Sequence, residues 1–509
     1  MEALIIGTGL GGLTTALRLA KRGYKVTMVE KFRQPGGRLN QLSKDGFTFD
    51  MAPSFFSMSY EFKEFVEDCG IGMPFTFHEL DPLYAVNFTK GNRTYIIHKD
   101  LDKLAAEFAD VEPGFRNKID RYLASAGRLF HDTEGKVIRR NFSSVAQFLA
   151  TLATVPVRHL PKMFRSFMDE LDRYFDSDEV KQILSLTAFF LGATPYDTPA
   201  IYTLLSYTEL KHDGYYNVKG GMYKIVEGLI GELEKAGVEI HYNTEIVGIR
   251  GEEGTIKACQ NGIIKACQNG IIKACLDDTG KEWHADLVVV NADAAAFRGQ
   301  VLGRKRYRPE RLDRMKWTLA PLTIYLGVDA KVPGIHHHHY FLGDNFKEYA
   351  GAVFKNQISL ERPYYYVNTI SKFNPESAPE GCESLFILCP VPDLRYKPDW
   401  SDAEHIADSI IEDLSTRIGF DLQQHTRTRT VLTPLDWEKT FNLYRGSGLS
   451  LAHDLNQIGA FRPPNVDEHF DNLFYVGSST VPGTGLPMAV ISSKLVTERI
   501  VKRYGPVPA

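Results

Sequence analysis

The chain has 509 residues, 43% hydrophobic and 24% charged, enough for two or three domains and an ample core. Its formal net charge of -4 argues against nucleic acid as a general partner. Its six cysteines, Cys69, Cys259, Cys267, Cys275, Cys382 and Cys389, form neither a CxxC pair nor a dense secreted framework, and no secretory leader precedes the first strand, so reduced thiols in the cytoplasm are expected.

Residues 3–6 are a short apolar strand that runs into Gly7-x-Gly9-x-x-Gly12. Gly7 permits the tight turn, Gly9 lets backbone approach a pyrophosphate, and Gly12 lets helix and strand pack closely. The helix predicted over 13–22 then aims its N-terminal N–H groups at phosphate. A second strand, 25–29, ends in Glu30, about 20 residues on, where a carboxylate can hold a ribose hydroxyl and disfavours a 2′-phosphate. Strand, glycines, helix, strand and acid in register predict a bound dinucleotide. Pro35-Gly36-Gly37-Arg38 follows, and an arginine after paired glycines can lay its planar fork on a diphosphate, which favours FAD over NAD.

From about 100 to 210 the chain reads as mostly helical and rich in Phe and Leu. Within 142–171, Leu160, Met163, Phe164 and Phe167 keep the i, i+3, i+4, i+7 spacing while Arg158, Lys162 and Arg165 lie off that stripe. Such a helix can lie in the headgroup layer of an anionic membrane or pack on a core. No window approaches the ~20 apolar residues that span a bilayer. A helix is predicted over 225–236, a strand pair over 238–242 and 245–249, and a buried returning strand over 286–293. Between the last two, Ile-Lys-Ala-Cys occurs three times with a period of eight. Along one strand its cysteines would share a face but lie about 26 Å apart from one copy to the next, too far for one ion. Asn-Gly between copies predicts a duplicated hairpin instead. His336 to His339 are expected in a strand at the edge of the substrate domain, not as a metal grip. Residues 300–440 alternate like a second sheet, and 472–487 form a closing strand and glycine-rich turn.

Val29-Glu30-Lys31, Pro35-Gly36-Gly37-Arg38, the segment from Gly46 to Ser54, Lys219-Gly220-Gly221-Met222, His337-His338-His339-Tyr340-Phe341 and Gly477-x-x-Thr480-x-Pro482-Gly483-x-Gly485-Leu486-Pro487 together resemble carotenoid desaturases of the phytoene desaturase type, in order and spacing over nearly the whole chain. The resemblance implies an α/β fold with a Rossmann-type FAD-binding domain of the glutathione reductase and amine oxidase kind. An α+β substrate domain is inserted into it, with a helical membrane-associating region. It implies FAD-domain parts at 1–90, 211–298 and 441–509, the helical region at 91–210 and the substrate sheet at 299–440. Cofactor contacts are implied at Gly7, Gly9, Leu10, Gly12, Glu30, Lys31, Gly37, Arg38, Pro53, Ser54, Ile246, Asp293, Gly477, Pro487, Met488 and Ala489.

The activity so implied removes two hydrogens from adjacent carbons of a carotenoid, with FAD as hydride acceptor. No Ser-His-Asp, Cys-His, HExxH or supported glutamate pair is identifiable, so no catalytic residue is assigned and the chain is expected to act through placement in an apolar tunnel. Tunnel candidates are Phe55, Phe56, Phe189, Phe190, Tyr202, Tyr207 and Phe461. Asp50-Met51-Ala52-Pro53-Ser54 departs from the Gly-Pro-Thr that phytoene desaturases often carry after the Phe-Asp pair, and the pattern is more similar to a hydroxycarotenoid 3,4-desaturase. Phytoene desaturase, a carotenoid isomerase or oxidase, a retinol saturase-like enzyme, an amine oxidase and a flavin-bearing carotenoid carrier without turnover are the alternatives. Expected partners are the carotenoid, the inner face of the membrane, and a quinone or oxygen as electron acceptor.

Overall fold

In the computed structural model, which describes residues 1–252, 256–260, 263–267, 270–353 and 364–507, the strand Glu2–Ile6 lies in the middle of a five-stranded, wholly parallel sheet. Lys25–Val29 and then Glu239–His241 lie on one side of it, Leu287–Val290 and then Leu473–Tyr475 on the other. Leu287–Val290 is an unbroken run of apolar side chains, all buried, as a parallel strand covered on both faces requires. The order reverses at Glu2–Ile6, so the connections leave in opposite directions from the carboxyl ends and open a crevice there. The helix Leu10–Ala20 packs against helices Lys224–Lys235 and Leu486–Tyr504 and is buried from Leu10 through Leu19. The first and last elements of the chain are therefore neighbours.

A seven-stranded mixed sheet stands against this unit in the order Thr426–Leu432, Ala320–Val328, Glu383–Val391, Tyr365–Thr369, His338–Leu342, Tyr84–Phe88 and Arg93–Ile97. Its last two strands come from early in the chain, so the expected boundary at 90 runs between two strands of one sheet. The histidine run stands at the edge of the strands contributed by residues 299–440, but not at the edge of the sheet. His338–Leu342 pairs antiparallel with Tyr365–Thr369 and parallel with Tyr84–Phe88, and is interior. His337, His338 and His339 are buried, and no group of metal-ligating side chains occurs among the described residues.

The strand pair predicted over 238–249 does not form. Glu239–His241 joins the parallel sheet, whereas Ile246–Glu252 pairs with Ile271–Asp277 in a separate three-stranded sheet. Asn243, at φ +52°, turns the chain between them, and Asn243 N–H and Thr244 N–H donate to the carbonyls of Phe32 and Glu30. The repeat does form an antiparallel hairpin, Ile256–Gln260 with Ile263–Cys267. The Asn-Gly positions 261–262 lie outside the described residues. Cys275 is buried on the following strand.

The helical stretch includes Leu101–Glu107, Phe115–Thr133, Val145–Leu152, Leu160–Phe164 and Phe167–Leu171. The continuous amphipathic helix expected through 160–167 is broken. Arg165 is extended, and Ser166 starts a new helix with a reciprocal capping box to Asp169. Phe167 consequently turns into the core, and Lys162 is buried with its Nζ 2.6 Å from Glu170. Leu160 and Phe164 stay outside at 53% and 77% exposure. No helix among the described residues is long and apolar enough to cross a membrane.

Candidate functional site

The crevice of the parallel sheet opens into a cavity of about 720 Å³ that continues to the face of the seven-stranded sheet. At one end stand Gly7, Gly9, Leu10, Glu30, Lys31, Gly37 and Arg38, and the same wall carries Pro53, Ser54, Ile246, Asp293, Gly477, Pro487 and Ala489. The first two glycine turns lie against each other. Gly36 N–H donates to Thr8 O at 3.0 Å, and a Cβ on Gly37 would stand 3.2 Å from the Gly9 Cα. Gly12 does not face the cavity. A Cβ there would meet the Gly7 carbonyl oxygen at 2.3 Å, so Gly12 sets the distance between helix and strand. Met488 is in the first turn of Leu486–Tyr504 but outside the lining.

Glu30 is held in a single orientation. Its Oε2 accepts from Thr8 N–H (2.8 Å) and Thr8 Oγ1 (2.7 Å), and its Oε1 accepts from Phe32 N–H (3.1 Å). Arg38 spans the two chain ends, donating to the Gly448 carbonyl (2.6 Å) and to Ser478 Oγ (2.5 Å). Burial lowers its pKa, opposed by the charge of Asp293. Asp293 caps the helix that follows, accepting from Ala295 N–H (2.9 Å), and takes Ser450 Oγ and Ser479 Oγ on its other oxygen. Beneath the closing loop, the buried Arg462 guanidinium donates to the carbonyls of Leu451, Ala452, Gln457, Ser478 and Thr480. Five carbonyls converging on one cation fix the loop without involving ligand.

These residues fit FAD. A glycine cradle at a helix N-terminus would suit a diphosphate, the anchored Glu30 carboxylate would suit a ribose hydroxyl, and the cavity continues beyond them. Asn291 was not recognised in the sequence. It ends the strand Leu287–Val290, and Cβ atoms on Gly9, Gly11 and Gly477 would fall 2.5, 2.8 and 3.0 Å from its side-chain amide. One amide thus fills the gap between both glycine turns. The available signal was its position just past a buried parallel strand beside Glu2–Ile6, with Asn291 N–H on Ile6 O.

The far end is aromatic and apolar. Phe55, Phe189 and Phe190 line it, together with Tyr340, Tyr366, Leu342, Leu388 and Phe346. Four of the tunnel candidates are placed elsewhere. Phe56 is fully buried against Phe62, Phe75 and Phe77, because alternation along an extended segment points it away from Phe55. Tyr207 packs beside Phe130 and His212, Tyr202 donates to the His453 carbonyl (3.3 Å), and Phe461 is exposed against Phe148.

Few polar groups interrupt this end. Tyr366 Oη lies 2.5 Å from His338 Nδ1 and 2.8 Å from Ser54 Oγ. Behind the wall, burial pushes the Asp50 carboxyl up to about 7, although Met222 N–H donates to it at 3.0 Å. Burial likewise pushes Glu209 up to about 7, against hydrogen bonds from Tyr84 and Tyr215. Neither carboxyl lines the cavity.

Comparison with known proteins agrees with this geometry. Residues 10–501 match the model of the family described as flavin containing amine oxidoreductase. The chain is 31% identical to a zeta-carotene-forming phytoene desaturase of Myxococcus xanthus, over 98% of this chain and 93% of that protein. It is 29% identical to a carotenoid 3,4-desaturase of Haloarcula japonica, over 98% of each. Among solved structures it is similar in fold to a putrescine oxidase bound to putrescine, with a TM-score of 0.63 at 14% identity, covering 99% of this chain and 100% of that one.

Proposed function

We propose that this chain, which belongs to the flavin-containing amine oxidoreductases and within them to the FAD-dependent carotenoid desaturases of the phytoene desaturase type, takes a 1-hydroxycarotenoid as its substrate and desaturates it at its 3,4 bond. The observation that carries the desaturase reading is the single cavity joining the glycine cradle to an apolar, aromatic-walled end. When bound, FAD supplies an acceptor for hydride. The chain's own work is to hold and align. The cradle, Glu30 and Arg38 anchor the cofactor, and Phe55, Phe189 and Phe190 press an extended polyene into one register and keep water away.

The hydroxycarotenoid assignment is supported by the Met51-Ala52-Pro53-Ser54 segment on the cavity approach and by the similarity to the Haloarcula protein. Phytoene is the second reading, favoured by the similarity to the Myxococcus protein. An apolar substrate needs a lipid source, and the outward Val157, Leu160 and Phe164, with Arg158 beside them, support docking on the inner face of an anionic membrane. Reoxidation falls to a membrane quinone or oxygen. The test is to incubate the FAD-loaded protein in liposomes with either carotenoid and follow the absorption spectrum, which moves to the red with each added conjugated bond. A shift with the hydroxycarotenoid alone is expected. A shift with phytoene alone replaces the substrate, and no shift with either refutes the desaturase reading.

A further inference from the structure

The apolar end of the cavity contains a polar arrangement that adjoins the cofactor wall at Ser54 and whose other members, Tyr366 and His338, have no assigned part in cofactor binding. Tyr366 lines the cavity, and its hydroxyl contacts both Ser54 Oγ at 2.8 Å and His338 Nδ1 at 2.5 Å. The two rings are diagonal neighbours on adjacent strands, since His338 pairs with Asn368 and Tyr340 with Tyr366. Phe55 stacks on the His338 ring at 4.0 Å and holds it in plane. The direction of the hydrogen bonds is set from behind. Asn368 Nδ2 donates to the His337 carbonyl at 3.0 Å, which fixes its amide, and it also donates to His338 Nδ1 at 3.3 Å. Nδ1 is therefore an acceptor and the ring proton is on Nε2, which has no hydrogen-bond partner among the described residues. Tyr366 must then donate to His338 and accept from Ser54 Oγ, and Asn368 also bonds the same oxygen, so a proton arriving from the cavity displaces one of these two donors.

We propose that Tyr366, backed by His338 as a positioning residue, accepts the proton that the carotenoid loses. The inference rests on the desaturase reading. Desaturation breaks two C–H bonds. One hydrogen leaves with its electron pair as hydride to oxidised flavin. The neighbouring carbon then gives up a proton, and that bond's electron pair becomes the new π bond. The proton bonds to Tyr366 Oη as the hydroxyl's own proton passes to His338 Nδ1. The pair gains one proton, and bound FAD would supply the acceptor for the hydride and its two electrons.

A strong base is not required, because a C–H bond beside a carbocation is a strong acid. What is required is a group free of protons beforehand. Burial holds the His338 imidazole well below its usual pKa, so it waits neutral. Glu30 is committed to Thr8 and Phe32, Asp293 to Ala295 and two serines, and Tyr365 to Asp413 on the opposite face of the sheet. The Tyr349 and Thr323 hydroxyls also belong to cavity-lining residues and have no hydrogen-bond partner among the described residues, so neither has an imidazole behind it to take on its proton.

The experiment compares Tyr366→Phe, His338→Phe, His338→Gln and the double Tyr366→Phe/His338→Phe variant as FAD-loaded proteins in carotenoid liposomes. Tyr366→Phe is expected to lose about 10²–10⁴ in kcat with KM and flavin content unchanged. His338→Gln, which keeps an acceptor for the hydroxyl, should retain more activity than His338→Phe, and the double variant should be no slower than Tyr366→Phe. An unchanged kcat in Tyr366→Phe, or losses carried by KM or flavin content, overturns the proposal. Independently of turnover, ¹⁵N NMR of labelled histidines should read His338 as neutral with Nε2 protonated, and Tyr366→Phe should shift its Nδ1 resonance. An Nδ1–H tautomer overturns the relay. A parent protein that desaturates neither carotenoid removes the desaturase reading and this proposal together, whereas an active parent with an unaffected Tyr366→Phe variant removes only this one.

Discussion

Replacing Gly12 by alanine tests whether the first glycine turn is a packing device as well as a phosphate cradle. The added Cβ would lie 2.3 Å from the Gly7 carbonyl oxygen and 3.2 Å from the Asn291 Cβ, where ordinary contact begins at 3.4 Å. The first neighbour is backbone, and the helix Leu10–Ala20 is buried against Lys224–Lys235 and Leu486–Tyr504, so it has no free direction in which to retreat. Relief requires a shift of about 1 Å between helix and strand, an overpacking that costs roughly 1–3 kcal/mol. The helix propensity of alanine offsets at most about 1 kcal/mol of this. The same shift carries the N–H groups of the helix start away from the diphosphate, and a loss of about 1.4 kcal/mol there is tenfold in affinity. Gly231→Ala is the control. It sits within the helix Lys224–Lys235 with nothing within 4 Å of its Cβ, so it should stabilise by about 1 kcal/mol. Thermal melts and the flavin-to-protein absorbance ratio of both variants decide the matter. Gly12→Ala should melt lower and lose flavin, Gly231→Ala should melt higher and keep it, and a Gly12→Ala protein with unchanged melting and full flavin would refute the argument.

Arg38→Lys loses the fork shared between Gly448 O and Ser478 Oγ, and with about 1.5–3 kcal/mol at stake for bonds to a charged group, flavin retention on dilution should fall at least tenfold. Full retention would remove Arg38 from the cofactor site. Asp50 titrates at about 7 in the folded protein against 3.8 ordinarily. Across that window the native state binds more protons than the unfolded chain, so this group's contribution to stability falls as pH rises and becomes constant above about 7. Asp50→Asn should flatten that part of the stability profile in denaturant titrations, and an unaltered profile would contradict the burial argument. Leu160→Ser with Phe164→Ser removes exposed apolar surface worth about 1.5–3 kcal/mol per fully inserted side chain. Binding to anionic vesicles, read by sedimentation, should weaken at least tenfold with melting unchanged, and undiminished binding would move the membrane contact elsewhere.

The parts of the molecule legible in the sequence were those governed by local backbone chemistry. Gly7, Gly9, Gly12 and Glu30 announce themselves because a tight turn, a close approach and an acid at a strand end need those residue types at that spacing. The apolar run 287–290 reads as a buried parallel strand for the same reason, and the Asn-Gly spacing identifies a hairpin. The tertiary structure decided what depends on residues far apart in the chain. It drew Tyr84–Phe88 and Arg93–Ile97 into a sheet otherwise built from residue 320 onward, covering the strand of His338 with them, and broke the helix at Arg165 so that Phe167 and Lys162 turned inward. Of two adjacent phenylalanines it gave Phe55 to the cavity and Phe56 to the core. Periodicity reports that a side chain is apolar or alternates, but not which surface lies opposite. That is settled only when strands separated by hundreds of residues bring Asn291 between two glycine turns, or Tyr366, His338 and Ser54 to within hydrogen-bonding distance.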